Sequence, residues 1–260
     1  MNGRTLTELY QDHTHFMITA HRGASFEFPE NTALAMRKAI EAGADMIEFD
    51  LRGTADGVPV LLHDETIDRT SNGHGKPEEH TLSELKKFNF SFWLQNIRRE
   101  TPIYDVMEIP TFEEILAEFR GKAAMNIQVY AKTDDVLNEI CRLFRQYDMY
   151  DHGYFTVYPA LIDKVKAIDP EIELCTTHGW ETRSNPETLK LCRETDGCRF
   201  VQPVREFTTE ENYRYMRELG LRGNVFFTDD PEEMSRLKSL GAEGIQTVGS
   251  KFVIYKKSEK

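Results

Sequence analysis

Eight short apolar runs of strand type recur along this 260-residue chain, and a stretch with helical periodicity follows each of the first seven. The apolar runs end near Ala20, Asp50, Tyr130, Val157, Thr176, Gln202, Phe227 and Thr247. The helical stretches cover residues 30–42, 111–120, 134–146, 160–168, 186–194, 209–219 and 231–240. Strands that alternate with helices over about 250 residues are typical of a (β/α)8 barrel, so the prediction is an α/β TIM-barrel fold. A doubly wound open sheet is the alternative, because periodicity alone does not show that a sheet closes.

A ninth apolar run, Val58-Pro59-Val60-Leu61-Leu62, does not fit the alternation. The segment 54–57 before it, Thr-Ala-Asp-Gly, has the composition of a hairpin turn. Folding about that turn pairs residue 48 with residue 63, and Pro59 suits an edge strand better than a closed barrel. We therefore expect a return arm that brings His63 beside Glu48.

Residues 65–107 form a segment too long for an ordinary barrel loop. It contains Gly73, Gly75 and Pro77, a helical pattern over 81–88, and a group of aromatic residues. The prediction is a single domain over residues 1–260, with 65–107 inserted as a subdomain over the C-terminal mouth of the barrel.

Composition limits the partners and the compartment. The net charge of −12 argues against nucleic acid and anionic membranes as partners. No apolar run approaches the ~18 residues of a transmembrane helix, and the polar segment 1–15 has no apolar signal-peptide core. The cysteines form no Cys-x-x-Cys pair, which favours free thiols over zinc or disulfides; they are Cys141, Cys175, Cys192 and Cys198. We expect a cytoplasmic protein with no membrane insertion.

Charged residues cluster where the early apolar runs end. Glu48 and Asp50 stand two apart on a strand, so they share a face, and at a barrel strand's C-terminal end they would reach the mouth. Alone, such a pair is usually two solvated carboxylates. His21-Arg22 and His63-Asp64 also follow apolar runs. The presence of these four residues near Glu48 and Asp50 in the sequence favours an active site over a pair of solvated carboxylates. Carboxylates bind a hard cation, arginine binds phosphoryl oxygens, and imidazoles transfer protons, so the pattern predicts metal-assisted chemistry on a phosphate ester.

A set of ordered segments gives this pattern a family context. They are HRG (21–23), PENT (29–32), GADMIEFDLRGTADG (43–57), VPVLLHD (58–64), RTSNGHG (69–75), IPTFEEIL (109–116) and DPEEMSRLKSLGAEGI (230–245). In this order they resemble the glycerophosphodiester phosphodiesterase family, and the resemblance is densest between residues 21 and 75. It implies a TIM barrel with an insertion after the second strand.

The resemblance also implies roles for individual residues. Glu48 and Asp50 would bind one divalent cation, Mg²⁺ or Ca²⁺, and Arg22 would hold the phosphate. His21 and His63 would be the general acid and base. A neighbouring hydroxyl of the substrate would attack phosphorus, and water would then open the resulting cyclic phosphate.

The third strand departs from the family pattern Asn-Ile-Glu-x-Lys. Here it is Asn126-Ile127-Gln128-Val129-Tyr130, so one anion and one cation are absent together. Gln128 can offer a carbonyl oxygen as the third metal ligand, and Tyr130 can donate to phosphate. Lys132, two residues further on the same strand face, is a third candidate for phosphate binding.

The last part of the barrel also differs from the family pattern. The last strand has Val248 where the family has an aspartate, and Phe226 replaces a tryptophan. These changes indicate a different pocket for the alcohol rather than a different reaction.

The sequence therefore predicts metal-dependent hydrolysis of a glycerophosphodiester, or a related small phosphodiester, to a phosphomonoester and an alcohol. One alternative is a lyase that releases the cyclic phosphate, similar to spider-venom phospholipase D. Another is a catalytically silent protein that binds a phosphorylated ligand. The partner is a small phosphodiester, and whether the chain forms a homo-oligomer stays open.

Overall fold

The computed structural model describes residues 3–249. Its strands are β1 (Met17–His21), β2 (Met46–Gly53), β3 (Pro59–Leu61), β4 (Trp93–Leu94), β5 (Ile97–Arg98), β6 (Ala124–Val129), β7 (Gly153–Val157), β8 (Leu174–Thr176), β9 (Phe200–Val201), β10 (Arg222–Gly223) and β11 (Gly244–Thr247). Its helices are α1 (Leu6–Gln11), α2 (Ala33–Glu41), α3 (Leu82–Leu85), α4 (Phe112–Phe119), α5 (Asp134–Gln146), α6 (Pro159–Ile168), α7 (Pro186–Glu194), α8 (Glu210–Glu218) and α9 (Pro231–Ser239).

The strands form a curled parallel sheet, and the predicted (β/α)8 fold is confirmed. Strands β11, β1, β2, β6, β7 and β8 are hydrogen-bonded in that order, and β9 pairs with β10. A bridge between Val225 and Ile245 joins the segment after β10 to β11. The seventh barrel strand begins earlier than predicted, at Arg222. Val225 and Phe226 make only isolated bridges, to two different partners, so they do not continue a ladder.

The seven predicted helices α2 and α4–α9 are all present, within a few residues of the predicted bounds. Helix α2 begins at Ala33 rather than Glu30, because Thr32 is extended and its hydroxyl accepts a hydrogen bond from Ala35 N at 3.2 Å. Helix α1 was not predicted. Its Leu6 and Leu9 pack against the first residues of the barrel strands, Met17 and Met46 among them, and so close the N-terminal end of the barrel.

The ninth apolar run is the expected return arm. Strand β3 pairs antiparallel with β2 only and lies off the path of the barrel sheet. The predicted register was wrong by one residue, because Gly53 pairs with Pro59, which places residue 48 opposite 64 rather than 63. The loop between these partners has an odd number of residues and closes through a hydrogen bond from Thr54 N to Val58 O.

Residues 65–107 hold short elements and a small apolar core. Helix α3 is shorter than the predicted 81–88, with Thr81 and Glu84 forming its capping box. Strands β4 and β5 form a two-stranded sheet. Three buried residues of the segment share this core with three residues outside it; they are Ile67, Leu85 and Phe90, with Val60, Leu62 and Ile109. Its role as an inserted subdomain over the barrel mouth stays a prediction.

Two further features bear on the predicted compartment. None of the helices between residues 3 and 249 combines the length and the apolar character needed to cross a membrane. The four cysteines are buried and free.

Candidate active site

A cavity of about 220 Å³ opens at the C-terminal ends of β1, β2 and β6. The structure brings seven of the sequence-predicted site residues together in its lining: His21, Arg22, Glu48, Asp50, His63, Gln128 and Tyr130. Residues on three separate strands and on the return arm thus converge on one space, as parallel strands of a barrel require.

Glu48 and Asp50 are the buried carboxylates of β2, with 4% and 1% of their surface exposed. Glu48 Oε2 accepts a hydrogen bond from Arg22 N at 2.8 Å, and Asp50 Oδ2 accepts one from Asn31 Nδ2 at 2.8 Å. Burial and the neighbouring Asp50 charge raise the pKa of Glu48 well above its ordinary value. Glu48 is therefore held beside Asp50 in a place that disfavours the negative charge of Glu48.

The guanidinium of Arg22 lies against Glu30 and Asp50, and its backbone is in a left-handed conformation with φ of 58°. Its Nη1 is 3.1 Å from Glu30 Oε1 and its Nε is 3.3 Å from Asp50 Oδ2. Burial alone would lower the pKa of Arg22, but the carboxylates around it raise that pKa. Gly23 completes the turn, since a Cβ there would lie 2.6 Å from the backbone of Ala35.

His21 is enclosed by aromatic rings. It stacks on Phe227 with ring centroids 5.6 Å apart and meets Phe226 edge to face at 5.3 Å. Its Nε2 lies 3.9 Å from Glu48 Oε2. Burial, with the nearby Arg22 charge, lowers the pKa of His21 well below its ordinary value, which favours the neutral imidazole.

His63 is held by its neighbours at the end of the return arm. Its Nδ1 lies 2.8 Å from Asp64 Oδ1, which leaves Nε2 as the ring nitrogen available to a substrate. Its carbonyl accepts hydrogen bonds from Arg52 Nε and Nη2 at 3.0 and 2.7 Å. The ring also meets Tyr130 edge to face at 6.0 Å.

Sequence reasoning missed the ionic network behind these residues. Arg69 donates to Asp64 Oδ2 at 2.6 Å and to both Glu30 oxygens at 2.7 Å. It thereby joins the His63–Asp64 pair to the Glu30–Arg22 pair. Burial opposes ionisation of Asp64, but hydrogen bonds from His63 and Arg69 lower its pKa. The segment RTSNGHG contains Arg69 and was the available signal.

The third-strand residues lie where the prediction placed them, with one exception. Gln128 is the register partner of Asp50, and its Nε2 donates to Thr156 O at 3.1 Å. Tyr130 packs under the Arg52 guanidinium at 4.8 Å, and burial together with the Asp50 charge raises its pKa. The structure does not bring Lys132 to this cavity. Strand β6 ends at Val129, so the strand face does not extend to Lys132.

The ammonium of Lys132 instead faces two acidic residues outside the cavity lining. It lies 3.7 Å from Glu65 and 3.6 Å from Glu78. Lys132 lines an adjoining cavity that shares His63 and Tyr130 with this one, so its predicted contact with phosphate stays a prediction.

The donor set fits a hard divalent cation. Glu48 and Asp50 supply anionic oxygens from one strand face, and Gln128 supplies a neutral one beside Asp50. The Nε2 of Gln128 donates its hydrogen bond to Thr156 O. The Oε1 of Gln128 accepts no hydrogen bond from residues 3–249. A cation at this place would also offset the burial and the Asp50 charge that together raise the Glu48 pKa.

Comparisons with known proteins identify the family. The model of the glycerophosphoryl diester phosphodiesterase family matches residues 21–247. The chain belongs to this family. A glycerophosphodiester phosphodiesterase of Caldanaerobacter subterraneus is 29% identical over 86% of this chain and 98% of its own length. A Bacillus subtilis enzyme of the same name is 41% identical over 46% of this chain, and the match spans 41% of that relative.

Solved structures of family members have the same fold. The Agrobacterium tumefaciens glycerophosphodiester phosphodiesterase superposes with a TM-score of 0.77 and 23% identity, over 91% of this chain and 98% of its own. An Oleispira antarctica phosphodiesterase, solved in complex with the product sn-glycerol-3-phosphate, gives 0.77 and 20%, over 93% and 96%. At these identities the likeness shows the barrel fold.

This phosphodiesterase-family chain completes its cavity with residues that the sequence analysis did not single out. Tyr158, Trp180 and Arg183 line it beyond Tyr130. The Trp180 ring centroid lies 5.5 Å from that of Phe226, which the sequence resemblance already named. Tyr158 follows β7, and Trp180 and Arg183 follow β8, in loops whose course the residue pattern does not predict.

Proposed function

We propose that this protein is a metal-dependent phosphodiesterase that hydrolyses a glycerophosphodiester, or a related small diester, to a phosphomonoester and an alcohol. One observation carries the proposal. His21 and His63 line the same small cavity as the buried Glu48–Asp50 pair and Arg22. Proton transfer, cation binding and phosphate binding are thus available at one place.

The cation site would consist of Glu48, Asp50 and the Gln128 carbonyl oxygen, and Mg²⁺ or Ca²⁺ matches this all-oxygen set. Such a cation, when bound, polarises the phosphoryl oxygens and offsets the charge that develops on them. Arg22 and Tyr130 would contact the phosphate from the protein side. The buried Nε of Arg22 lies 3.3 Å from Asp50 Oδ2 but makes no hydrogen bond within residues 3–249, so its N–H is not committed to a hydrogen bond.

The two imidazoles would carry the protons. One takes the proton of the substrate hydroxyl as that oxygen attacks phosphorus, and the other gives a proton to the departing alcohol oxygen. In the second step water attacks the cyclic phosphate with the proton transfers reversed. Asp64 holds Nδ1 of His63, which fixes the orientation of the ring for this work. The attacking hydroxyl belongs to the substrate, so its placement requires no additional binding event.

A diester panel tests the proposal. Glycerophosphocholine, glycerophosphoethanolamine, glycerophosphoinositol and glycerophosphoglycerol are incubated with Mg²⁺ or Ca²⁺, and products are followed by phosphorus NMR. We expect a phosphomonoester from at least one substrate, and loss of turnover after exhaustive chelation with recovery on metal addition.

Two other outcomes would contradict the proposal. A cyclic phosphate that persists would identify a lyase. Binding of a diester without turnover would identify a catalytically silent binding protein. Gln128 and Tyr130 favour that alternative, because they replace a charged pair of the family pattern.

A cytoplasmic location with reduced cysteines is part of the same proposal. Titration of freshly prepared, denatured protein is expected to find four free thiols, one for each cysteine. A disulfide that resists mild reductant would argue against it.

A further inference from the structure

Arg183 places its guanidinium group in the active-site cavity. This group has no carboxylate partner among residues 3–249. It lines the same space as His21, Glu48 and Asp50. Its Nε donates to Gly179 O at 3.2 Å, and its guanidinium carbon lies 5.1 Å from the centroid of the Trp180 ring. The two terminal nitrogens of Arg183 form no hydrogen bond with the described residues.

Two other arginines near the site, Arg22 and Arg69, are different. Arg22 and Arg69 each lie against two carboxylates, which raise their pKa values despite burial. For Arg183, burial lowers the pKa, because no carboxylate opposes it. A partly buried guanidinium has lost part of its hydration, and here no anion compensates for that loss. Such a group is suited to bind an anionic ligand.

The loop that carries Arg183 is held at both ends. At its start, Thr177 N donates to Val157 O at 3.0 Å, and His178 Nε2 lies 2.7 Å from Asp196 Oδ2. At its end, Ser184 O accepts from Asn212 Nδ2 at 2.8 Å. Binding an anion at Arg183 therefore needs little additional ordering of the chain.

The His178–Asp196 pair belongs to a compact group in which His178 is partly buried and Asp196 and Cys192 are buried. Its ligand atoms and that of Cys192 lie within 4.8 Å of one another. Thr176 Oγ1 also donates to Asp196 at 2.7 Å, so hydrogen bonds already use this carboxylate. The group serves as an anchor for the loop.

Arg183 lies away from the carboxylate pair of β2. Arg183 follows β8, and strands β6 and β7 lie between β8 and β2 in the sheet. At about 4.8 Å between neighbouring strands, Arg183 therefore reaches the cavity from the side opposite the carboxylate pair. A phosphate beside Glu48 and Asp50 would therefore leave Arg183 facing a more distant part of the substrate.

We infer that Arg183, with Trp180, forms a subsite for a second anionic group, a carboxylate or a phosphate, on the alcohol portion of the diester. The inference rests on the proposed function and makes Arg183 a specificity-determining residue. A planar guanidinium matches the two oxygens of such a group. A quaternary ammonium headgroup is disfavoured twice: Arg183 repels its charge and already covers the Trp180 face that would bind it.

Substrates that differ in the charge of the alcohol test the subsite. The anionic arms are bis(glycerophospho)glycerol, with a second phosphate, and glycerophosphoglycolate, with a carboxylate. Glycerophosphoglycerol is the neutral arm and glycerophosphocholine the cationic arm. We expect the wild-type kcat/KM to be highest for the substrates with an anionic alcohol, lower for the neutral one and lowest for the cationic one. The better of the two anionic substrates then shows whether the subsite prefers a phosphate or a carboxylate.

Variants of Arg183 test whether this residue causes the preference for an anionic alcohol. Arg183→Gln is expected to lower the anionic-to-cationic ratio of kcat/KM by about tenfold, mainly through KM, as loss of a charge-assisted hydrogen bond predicts. Arg183→Lys is expected to restore part of the ratio. The control is Arg214→Gln on α8, an exposed arginine that causes the same change in net charge. It is expected to keep the wild-type ratio, and thermal unfolding checks that every variant is folded.

Failure of the inference can be told from failure of the proposed function. If the wild type hydrolyses none of the diesters, the proposed function fails, and calorimetric binding of the same four compounds to wild type and Arg183→Gln then tests the subsite directly. The inference is overturned if the wild type ranks the substrates without regard to charge. It is also overturned if Arg183→Gln weakens all four equally, because Arg183 would then contact the scissile phosphate or act structurally.

Discussion

The cavity has two sides of different character. We call the side built on β1–β3, together with the ionic network behind it, the paired wall; its residues are His21, Arg22, Glu30, Glu48, Asp50, His63, Asp64 and Arg69. We call the side that follows β6–β8 the open wall; its residues are Gln128, Tyr130, Tyr158, Trp180 and Arg183. On the paired wall each arginine lies against carboxylates, whereas on the open wall the residues are neutral or aromatic apart from Arg183.

The difference separates two tasks. Charges that neutralise one another can be held close together in a buried place, and there they can respond to the charge changes of a reaction. A guanidinium beside aromatic rings has its charge available to a ligand. The paired wall is thus suited to the chemistry, and the open wall to the choice of substrate.

The largest effects are expected from the histidines at the paired wall. His21→Ala and His63→Ala should each lower kcat by ~10²–10⁴, the usual contribution of a general acid or base. His74→Ala is the control, since that side chain is 82% exposed. Steady-state kinetics on the best diester measures the effect, and near-normal turnover of either variant would make that histidine structural.

Removing one buried carboxylate comes next. Glu48→Gln should lower kcat/KM by about 10²–10³ at a metal concentration that saturates the wild type, because a charged ligand of the cation is lost. Glu118→Gln, in an exposed pair with Arg37, is the matched control. Metal titrations of activity would show the loss as a weaker apparent metal affinity, and unchanged metal dependence would move the cation site elsewhere.

The open wall can be made to resemble the family pattern. Gln128→Glu should tighten metal binding by about tenfold and weaken binding of the anionic diester, and Tyr130→Lys should do the reverse. Because the two charges would compensate, the double variant should exceed the product of the single effects on kcat/KM. A double-mutant cycle at saturating metal measures the coupling. Strict additivity would mean that the two side chains do not share the site.

The ionic network predicts a pH-dependent stability. Asp64 has a lowered pKa in the folded protein, so its contribution is present above the unfolded pKa of about 3.9 and is lost as pH falls through the folded value. Asp64→Asn should cost about 1–2 kcal/mol in the free energy of unfolding at pH 7, with the difference shrinking below about pH 4. Urea unfolding at several pH values tests this, with the exposed Asp163→Asn as control. A difference that stays constant down to pH 3 would exclude the ionic explanation.

The smallest effect is expected at Lys132. Its partners Glu65 and Glu78 lie outside the cavity lining, so Lys132→Ala should change kcat/KM by less than about threefold, as for an exposed ion pair. Kinetics with the preferred diester decides this. A loss of tenfold or more would restore Lys132 as the phosphate contact that the sequence predicted.

Much of the paired wall could be predicted from the sequence, because its residues follow local patterns. An apolar run that ends in Glu-x-Asp fixes which face the carboxylates share, and a turn signal before β3 indicates that His63 returns towards them. The hairpin register was still wrong by one residue, since composition identifies a turn but does not set the number of residues in it.

The part of the open wall beyond Gln128 and Tyr130 could not be predicted from the sequence, because it depends on the tertiary structure. Trp180 and Arg183 lie in a loop after β8, and their place in the cavity follows from barrel closure and from hydrogen bonds to Val157, Asp196 and Asn212. Arg69 likewise lies in the long segment 65–107, and only folding brings it to Glu30 and Asp64. Strand and helix periods, and the identities of residues at strand ends, are local properties that the sequence carries by itself. Which distant charges meet, and which is left without a partner, is decided by long-range packing that no local pattern encodes.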